Sequence, residues 1–326
     1  MHSRYTRWSG VVAVAGASIL IASAASAATG WTVAAVPPTG NNTLLLGASA
    51  RTGTDAWAVG FSVVRGENHS TLAEHWNGTA WSVDTSQVVT GEAAQLTGVA
   101  DLGPANAWAV GHRPGGTLLE HWNGSAWSPV TVPDAGFTPG AGQSISASSA
   151  ADIWVVGTTI SGTAGTRTAE ALHFNGTAWT VVPMQQPGTN TPTLGAVTAI
   201  SATNAWAVGE DIGATSALGG STLIEHWNGA SWSIVPSPTP GADPALAGVA
   251  ARGPSDVYAV GNNLPSINGG AVQGLVLRWN GSAWSQDTDP TAGSFSPLYA
   301  AAAVAGAPAE WAVGTLSNAP LILSHS

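Results

Sequence analysis

The sequence predicts an all-β fold, a six-bladed β-propeller built from four-stranded antiparallel blades. Three observations carry the prediction. Two tryptophan-bearing patterns repeat with a shared period of about 50 residues, an Asn-Gly turn recurs at one place in the repeat, and no segment sustains a helical period.

The first pattern is Asp/Asn-x-Trp-Ala-Val-Gly. It ends at Gly60, Gly111, Gly157 (as DIWVVG), Gly209 and Gly261 (as DVYAVG), and a sixth copy, AEWAVG, ends at Gly314. The second is Leu-x-Glu-His-Trp-Asn-Gly-x-x-Trp, with copies ending at Trp81, Trp127, Trp179, Trp232 and Trp284. Each repeat reads as four short strands. A small-residue run such as Leu96–Ala100 or Leu246–Ala251 comes first, and the Trp-Ala-Val strand second. A strand ending in His-Trp, such as Leu72–Trp76, is third, and Trp-Ser-Val, such as Trp81–Val83, is fourth. Trp, Val, Leu and Thr suit a half-buried pleated surface. Between the third and fourth strands stand Asn77-Gly78, Asn123-Gly124, Asn175-Gly176, Asn228-Gly229 and Asn280-Gly281. Asn-Gly reaches positive φ cheaply, so each pair predicts a tight hairpin.

A lone four-stranded unit cannot bury its faces, whereas six units around an axis can. The chain stops at Leu323-Ser324-His325-Ser326, which aligns with a third strand and has no turn or fourth strand after it. Trp31-Thr32-Val33 carries the fourth-strand pattern. Residues 31–36 are therefore expected to form the outer strand of the last blade and close the ring, covering an edge that would otherwise invite aggregation.

Arg4 and Arg7 precede an apolar run from Val11 to Ala22, followed by Ala25-Ser26-Ala27. A positive start, an apolar middle and small residues before a cut mark a signal peptide, residues 1–27, leaving residues 28–326 as one propeller domain. The run is too short to span a bilayer well, so no membrane attachment is expected after cleavage. The address is then secreted, extracellular or in the cell wall. The chain has no Cys, hence no disulfide, thiolate metal site or thiol nucleophile. All its basic residues are Arg, and the net charge of −10 argues against a partner among nucleic acids. No cofactor motif and no metal-ligand spacing occurs.

The DxWAVG and EHWNGxxW repeats resemble secreted actinobacterial and myxobacterial β-propeller repeats, similar in layout to kelch propellers. The resemblance covers nearly all of residues 28–326. It implies a secreted β-propeller and little about the ligand. The regular Gly-Gly and the Tyr/Trp spacing of kelch are absent, and so is the Asp-box of sialidases.

Residues that recur in nearly every repeat belong to the build of the blade. Trp57, Trp108, Trp154, Trp206 and Trp311 form one set. Trp31, Trp81, Trp127, Trp179, Trp232 and Trp284 form a second. Trp76, Trp122, Trp227 and Trp279, with Phe174, form a third. All three are expected to pack between blades rather than to stack sugars. His75, His121, His173, His226 and His325, with Arg278 in one repeat, are expected to hydrogen-bond from blade to blade. Glu74, Glu120 and Glu225 each precede a His, but adjacent strand residues point to opposite faces, so these pairs do not converge as acid and base.

Function is expected where the repeat varies. The first-to-second and third-to-fourth connections are short and share one rim. The other two kinds are long and share the opposite rim, among them Phe61–Ser70, Thr158–Thr168 and Glu210–Ser221. Beyond the Trp-Ala-Val-Gly copies the polar candidates for binding are His112, Arg113, Glu210, Asp211, Asn262 and Asn263, with Arg65, Glu67, His69 and Arg167 further along. The expected function is non-catalytic binding of an extracellular or cell-wall glycan, or of a protein partner, by a monomer. The alternative is a polysaccharide hydrolase or lyase using His112 with Glu210 or Asp211 across the channel mouth. A third reading is an assembly protein with no small ligand.

Overall fold

The computed structural model describes residues 37, 43–64, 68–86, 93–133, 137, 143–161, 165–188, 191–213, 220–266, 270–287, 295–303, 310–317 and 319–325. They form six antiparallel sheets, five of four strands and one of three. Blade 1 holds β1 (Thr43–Thr52), β2 (Asp55–Val64), β3 (Asn68–Trp76) and β4 (Trp81–Val83). Blade 2 holds β5 (Gln95–Gly103), β6 (Asn106–Arg113), β7 (Gly116–Trp122) and β8 (Trp127–Pro129). Blade 3 holds β9 (Gln143–Ser149), β10 (Asp152–Ser161), β11 (Thr166–Phe174) and β12 (Trp179–Pro183). Blade 4 holds β13 (Pro192–Ser201), β14 (Asn204–Asp211), β15 (Ser221–Trp227) and β16 (Trp232–Ile234). Blade 5 holds β17 (Ala242–Gly253), β18 (Asp256–Leu264), β19 (Gln273–Trp279) and β20 (Trp284–Gln286). Blade 6 holds β21 (Leu298–Ala303), β22 (Glu310–Leu316) and β23 (Ala319–His325).

The molecule is thus a six-bladed all-β propeller, with no helix among the described residues. The strand expected from residues 31–36, like the segment 1–27, lies outside the described residues. In each blade the strands lie side by side in chain order, and the first strands pack on one another around the axis.

Small residues make that inner ring possible. A Cβ on Gly47 would come within 2.8 Å of the Gly98 backbone, and one on Gly248 within 2.7 Å of the Ala301 nitrogen. The glycine ending each Trp-Ala-Val-Gly copy has a second cause. In five blades a bulge in the first strand lies beside it, for example between Leu45 and Gly47 or Leu96 and Gly98. A Cβ on Gly60, Gly111, Gly209 or Gly261 would lie 1.9 Å from a first-strand carbonyl oxygen. Blade 3 differs. Its ladder runs Gln143–Gly157, Ser144–Val156 and Ile145–Val155 without a bulge.

The expected third-to-fourth hairpins are present, with one refinement. Only the glycine takes positive φ (+93° at Gly78, +93° at Gly124). The asparagine acts through its side chain: Asn77 Oδ1 accepts from the Thr79 and Ala80 amides at 3.0 Å each, and Asn123 repeats this with Ser125 and Ala126. On the opposite rim the expected second-to-third loops of blades 1 and 3 prove to be largely ladder, whereas residues 214–219 of the blade 4 loop lie outside the described residues. β2 and β3 pair up to Val64–Asn68, and β10 and β11 up to Ser161–Thr166, because Thr, Val and Ile extend the strands.

Candidate functional site

The lower rim, with the short turns, is occupied by its own side chains. His75 Nε2 lies 2.7 Å from Asp55 Oδ1, His121 Nε2 3.1 Å from Asn106 Oδ1, His173 Nε2 2.8 Å from Asp152 Oδ1, and His226 Nε2 3.0 Å from Asn204 Oδ1. In blade 5 Arg278 Nε donates to Asp256 Oδ1 at 3.1 Å. These bonds join the second and third strands of one blade. The blade-to-blade bonding expected for the His set is therefore corrected: the leading Asp or Asn of each repeat is the partner. His325 does not belong to the set, since Trp311 pairs with Ser324 and His325 falls one position further on. Burial would raise the Asp152 carboxyl, but hydrogen bonds from His173 and Ser148 outweigh it and hold the group below its ordinary value.

Each of these His rings also lies against the second-strand Trp, stacked with centroids 4.4 Å apart for Trp57–His75 and 4.1 Å for Trp154–His173, and tilted for Trp108–His121 and Trp206–His226. The same Trp reaches into the next blade. Trp57 lies 5.0 Å from Trp122 and 4.9 Å from Trp127, and Trp154 lies 4.8 Å from Trp227 and 5.1 Å from Trp232. Trp108 meets Phe174 and Trp179, and Trp206 meets Trp279 and Trp284. These tryptophans are mortar between blades, as expected, each such pair contributing roughly 0.5–1.5 kcal/mol beyond area burial; Trp76 and Trp81 meet within blade 1, and the side chains of Trp31 and Trp311 lie outside the described residues. Glu74, Glu120 and Glu225 are buried on the other face from their His neighbours. Burial pushes Glu120 up to about 7 and Glu225 up to about 8, and Glu225 Oε2 accepts only one protein amide among the described bonds, from Gln185 at 3.0 Å.

The upper rim carries all six candidate binding residues, at the ends of second strands, one strand out from the axis. His112 shares a face with Trp108 and so turns toward blade 3. Glu210 shares a face with Trp206 and turns toward blade 5. Asn262, on the face of Tyr258 and Val260, turns toward blade 6, where Val260 packs with Leu298. Blade 3 stands between His112 and the pair Glu210 and Asp211, so the structure does not bring them together. Arg113 is exposed in the β6–β7 hairpin. Asp211 and Asn263 are buried and hold connections: Asp211 Oδ1 accepts from Thr191 Oγ1 at 2.9 Å, and Asn263 Nδ2 donates to the Pro240 carbonyl at 3.2 Å. Arg167 spans two blades to Thr193 Oγ1 at 2.7 Å. Gln95 Nε2 lies 2.5 Å from His69 Nδ1. Arg65 and Glu67 lie outside the described residues.

One interface is unlike the rest. In five blades the residues flanking the repeat glycine across the sheet are both Leu: Leu45 and Leu72, Leu96 and Leu118, Leu194 and Leu223, Leu246 and Leu275, Leu298 and Leu321. In blade 3 the row is Gln143–Gly157–Glu170. Its face is settled by Ile145, Val155 and Leu172, which pack against Trp108, Val110 and Leu119 of blade 2. From blade 2 the ladder pair His112 and Thr117 is the next pair above Val110 and Leu119 on the face toward blade 3. Gln143 is 7% exposed and, among the described residues, both its amide atoms lack a partner; Thr117 Oγ1 lacks one too. His112 is also 7% exposed, and burial first, then the charge of His69, lowers its pKa, so the ring is neutral at neutral pH. Sequence reasoning found His112 but missed Gln143, Thr117 and Glu170. The signal was available, since Gln143 and Glu170 stand where the other repeats have Leu.

No family model matches the chain, and no curated protein does. Among solved structures the chain is similar to the Aleuria aurantia lectin in complex with Fucα1-6GlcNAc. The TM-score is 0.50 at 12% identity, covering 85% of this chain and 93% of the lectin. It is also similar to a polysaccharide lyase, an ulvan lyase bound to a GlcA-Rha3S saccharide. There the TM-score is 0.51 at 11% identity, covering 83% of this chain and 76% of the lyase. The likeness is one of fold.

Proposed function

We propose that the protein is a non-catalytic binding propeller that recognises glycan through its upper rim. The observation that carries the reading is the contrast between the rims. The lower rim repeats one bonded arrangement in five blades, whereas the upper-rim position after the repeat glycine varies, with polar His112, Glu210 and Asn262 in three blades and exposed Arg113 beside them. Varied polar groups on a rigid frame are the arrangement expected of recognition rather than of packing. Asp211 and Asn263 act by holding the connections that frame this surface. Two propellers of the same fold were solved with saccharides bound, which supports the choice of glycan over a protein partner. The residues 1–27 and the resemblance to secreted bacterial repeats support export of a monomer to the extracellular space or cell wall. The separation of His112 from Glu210 and Asp211 favours binding over acid–base cleavage at the channel mouth.

A glycan array tests the reading. Wild-type protein is expected to retain defined glycans, and a variant combining Arg113→Ala, Glu210→Ala and Asn262→Ala is expected to lose them. Absence of wild-type binding to the array and to cell-wall polysaccharide would overturn it.

A further inference from the structure

We infer that the notch between blades 2 and 3 is a single saccharide subsite that takes one neutral sugar ring by its hydroxyls. This rests on the reading of the upper rim as a glycan surface and assigns it a place. Five blades close the row beside the repeat glycine with two leucines; blade 3 alone offers Gln143 and Glu170, and it also lacks the bulge found there in the other five. A buried amide with no partner among the described residues is costly to keep, which favours a ligand that completes it. The four side chains define what fits. The Gln143 amide and the Thr117 hydroxyl each donate and accept, the neutral His112 ring does both through its two nitrogens, and the Glu170 carboxylate accepts. Donors and acceptors interleaved in this way match the adjacent hydroxyls of a sugar. The carboxylate disfavours a phosphate or a carboxylate ligand. The row beneath, with Val110, Leu119, Ile145, Val155 and Leu172, is packed shut across the two blades, so the ring is held from the rim side by its hydroxyls alone. Thr117 and Glu170 are only half-buried, so the row meets solvent on their side.

The test uses the intact protein and a panel of free L-fucose, D-galactose, D-mannose, D-glucose and N-acetyl-D-glucosamine. The His112 ring signals in a proton–carbon NMR spectrum, assigned with His112→Gln, are followed during titration. At least one sugar is expected to shift them to saturation at one site per molecule while the lower-rim ring signals of His75 and His173 stay in place. The double variant Gln143→Leu, Glu170→Leu installs the row of the other five blades, so it is expected to fold and to lose the shift. No response from any panel sugar, which leaves ordered water as the occupant, overturns the subsite; so does an equal response in the double variant. The glycan array separates the two proposals. Full array binding by the double variant removes the subsite and keeps the rim, whereas an array that wild type ignores removes the rim reading and leaves the His112 titration to decide the notch.

Discussion

The two rims of this propeller are made from the ends of the same strands, yet they obey opposite rules. At the lower rim an Asp or Asn opening the second strand meets a His or Arg on the third, and the pair lies against an aromatic ring whose far side packs into the next blade. At the upper rim the position that follows the repeat glycine changes from Phe61 to His112, Thr158, Glu210, Asn262 and Thr315. The difference teaches that the blades are held together from below and through the middle. The upper row is then free to depart from the apolar pattern, and it does so most strongly in blade 3.

Removing part of the shared build should do the most damage. Trp154 is fully buried between His173, Trp227 and Trp232, and Trp154→Ala is expected to cost about 3–5 kcal/mol in urea unfolding. A loss no larger than that of a surface substitution would break the assignment of the tryptophans to the build.

The buried glutamates give the comparison a pH dependence. Glu225 binds its proton more tightly folded than unfolded, with a folded value of about 8, so its contribution is full below the ordinary carboxylate range and lost as pH rises toward 8. Stability is expected to fall with rising pH across that window, by up to about 1.4 kcal/mol per pH unit. Glu225→Gln should flatten the slope in a series of melting temperatures against pH. Asp152 has the opposite sign: its stabilisation is present above the ordinary carboxylate range and disappears as pH falls through its lowered value. Cutting its bond with His173→Ala is expected to cost roughly 1–3 kcal/mol, read from the urea midpoint. The exposed Arg113 marks the other extreme. Arg113→Ala should change stability by less than about 0.5 kcal/mol while weakening glycan retention, and a large stability loss there would blur the contrast between the rims.

Much of this was legible in the sequence, because a pattern written six times declares its own period. The strands, the Asn-Gly hairpins and the inter-blade tryptophans follow from alternation and turn chemistry alone. The partners of the histidines did not, because a column of repeated residues does not say which other column it touches; the register of β2 with β3 was needed to place His75 on Asp55 rather than in the neighbouring blade. His325 was misaligned because no Asn-Gly follows it to anchor the count. The upper-rim strands were read as loops because Ser, Thr and Gly there resemble turn composition, while the ladder bonds that extend β10 and β11 depend on both partners at once. Glu170 and Gln143 escaped notice because each looks ordinary alone and becomes informative only beside the leucines at the same place in other blades.

The central claim is that blade 3 keeps a polar row for recognition at the expense of packing. Urea unfolding of the double variant Gln143→Leu, Glu170→Leu tests it most directly. The expected midpoint lies above that of wild type, by a stability gain of about 1–3 kcal/mol from removing a buried amide without partners among the described residues. A midpoint below wild type would show that the row holds blades 2 and 3 together, and would contradict the account.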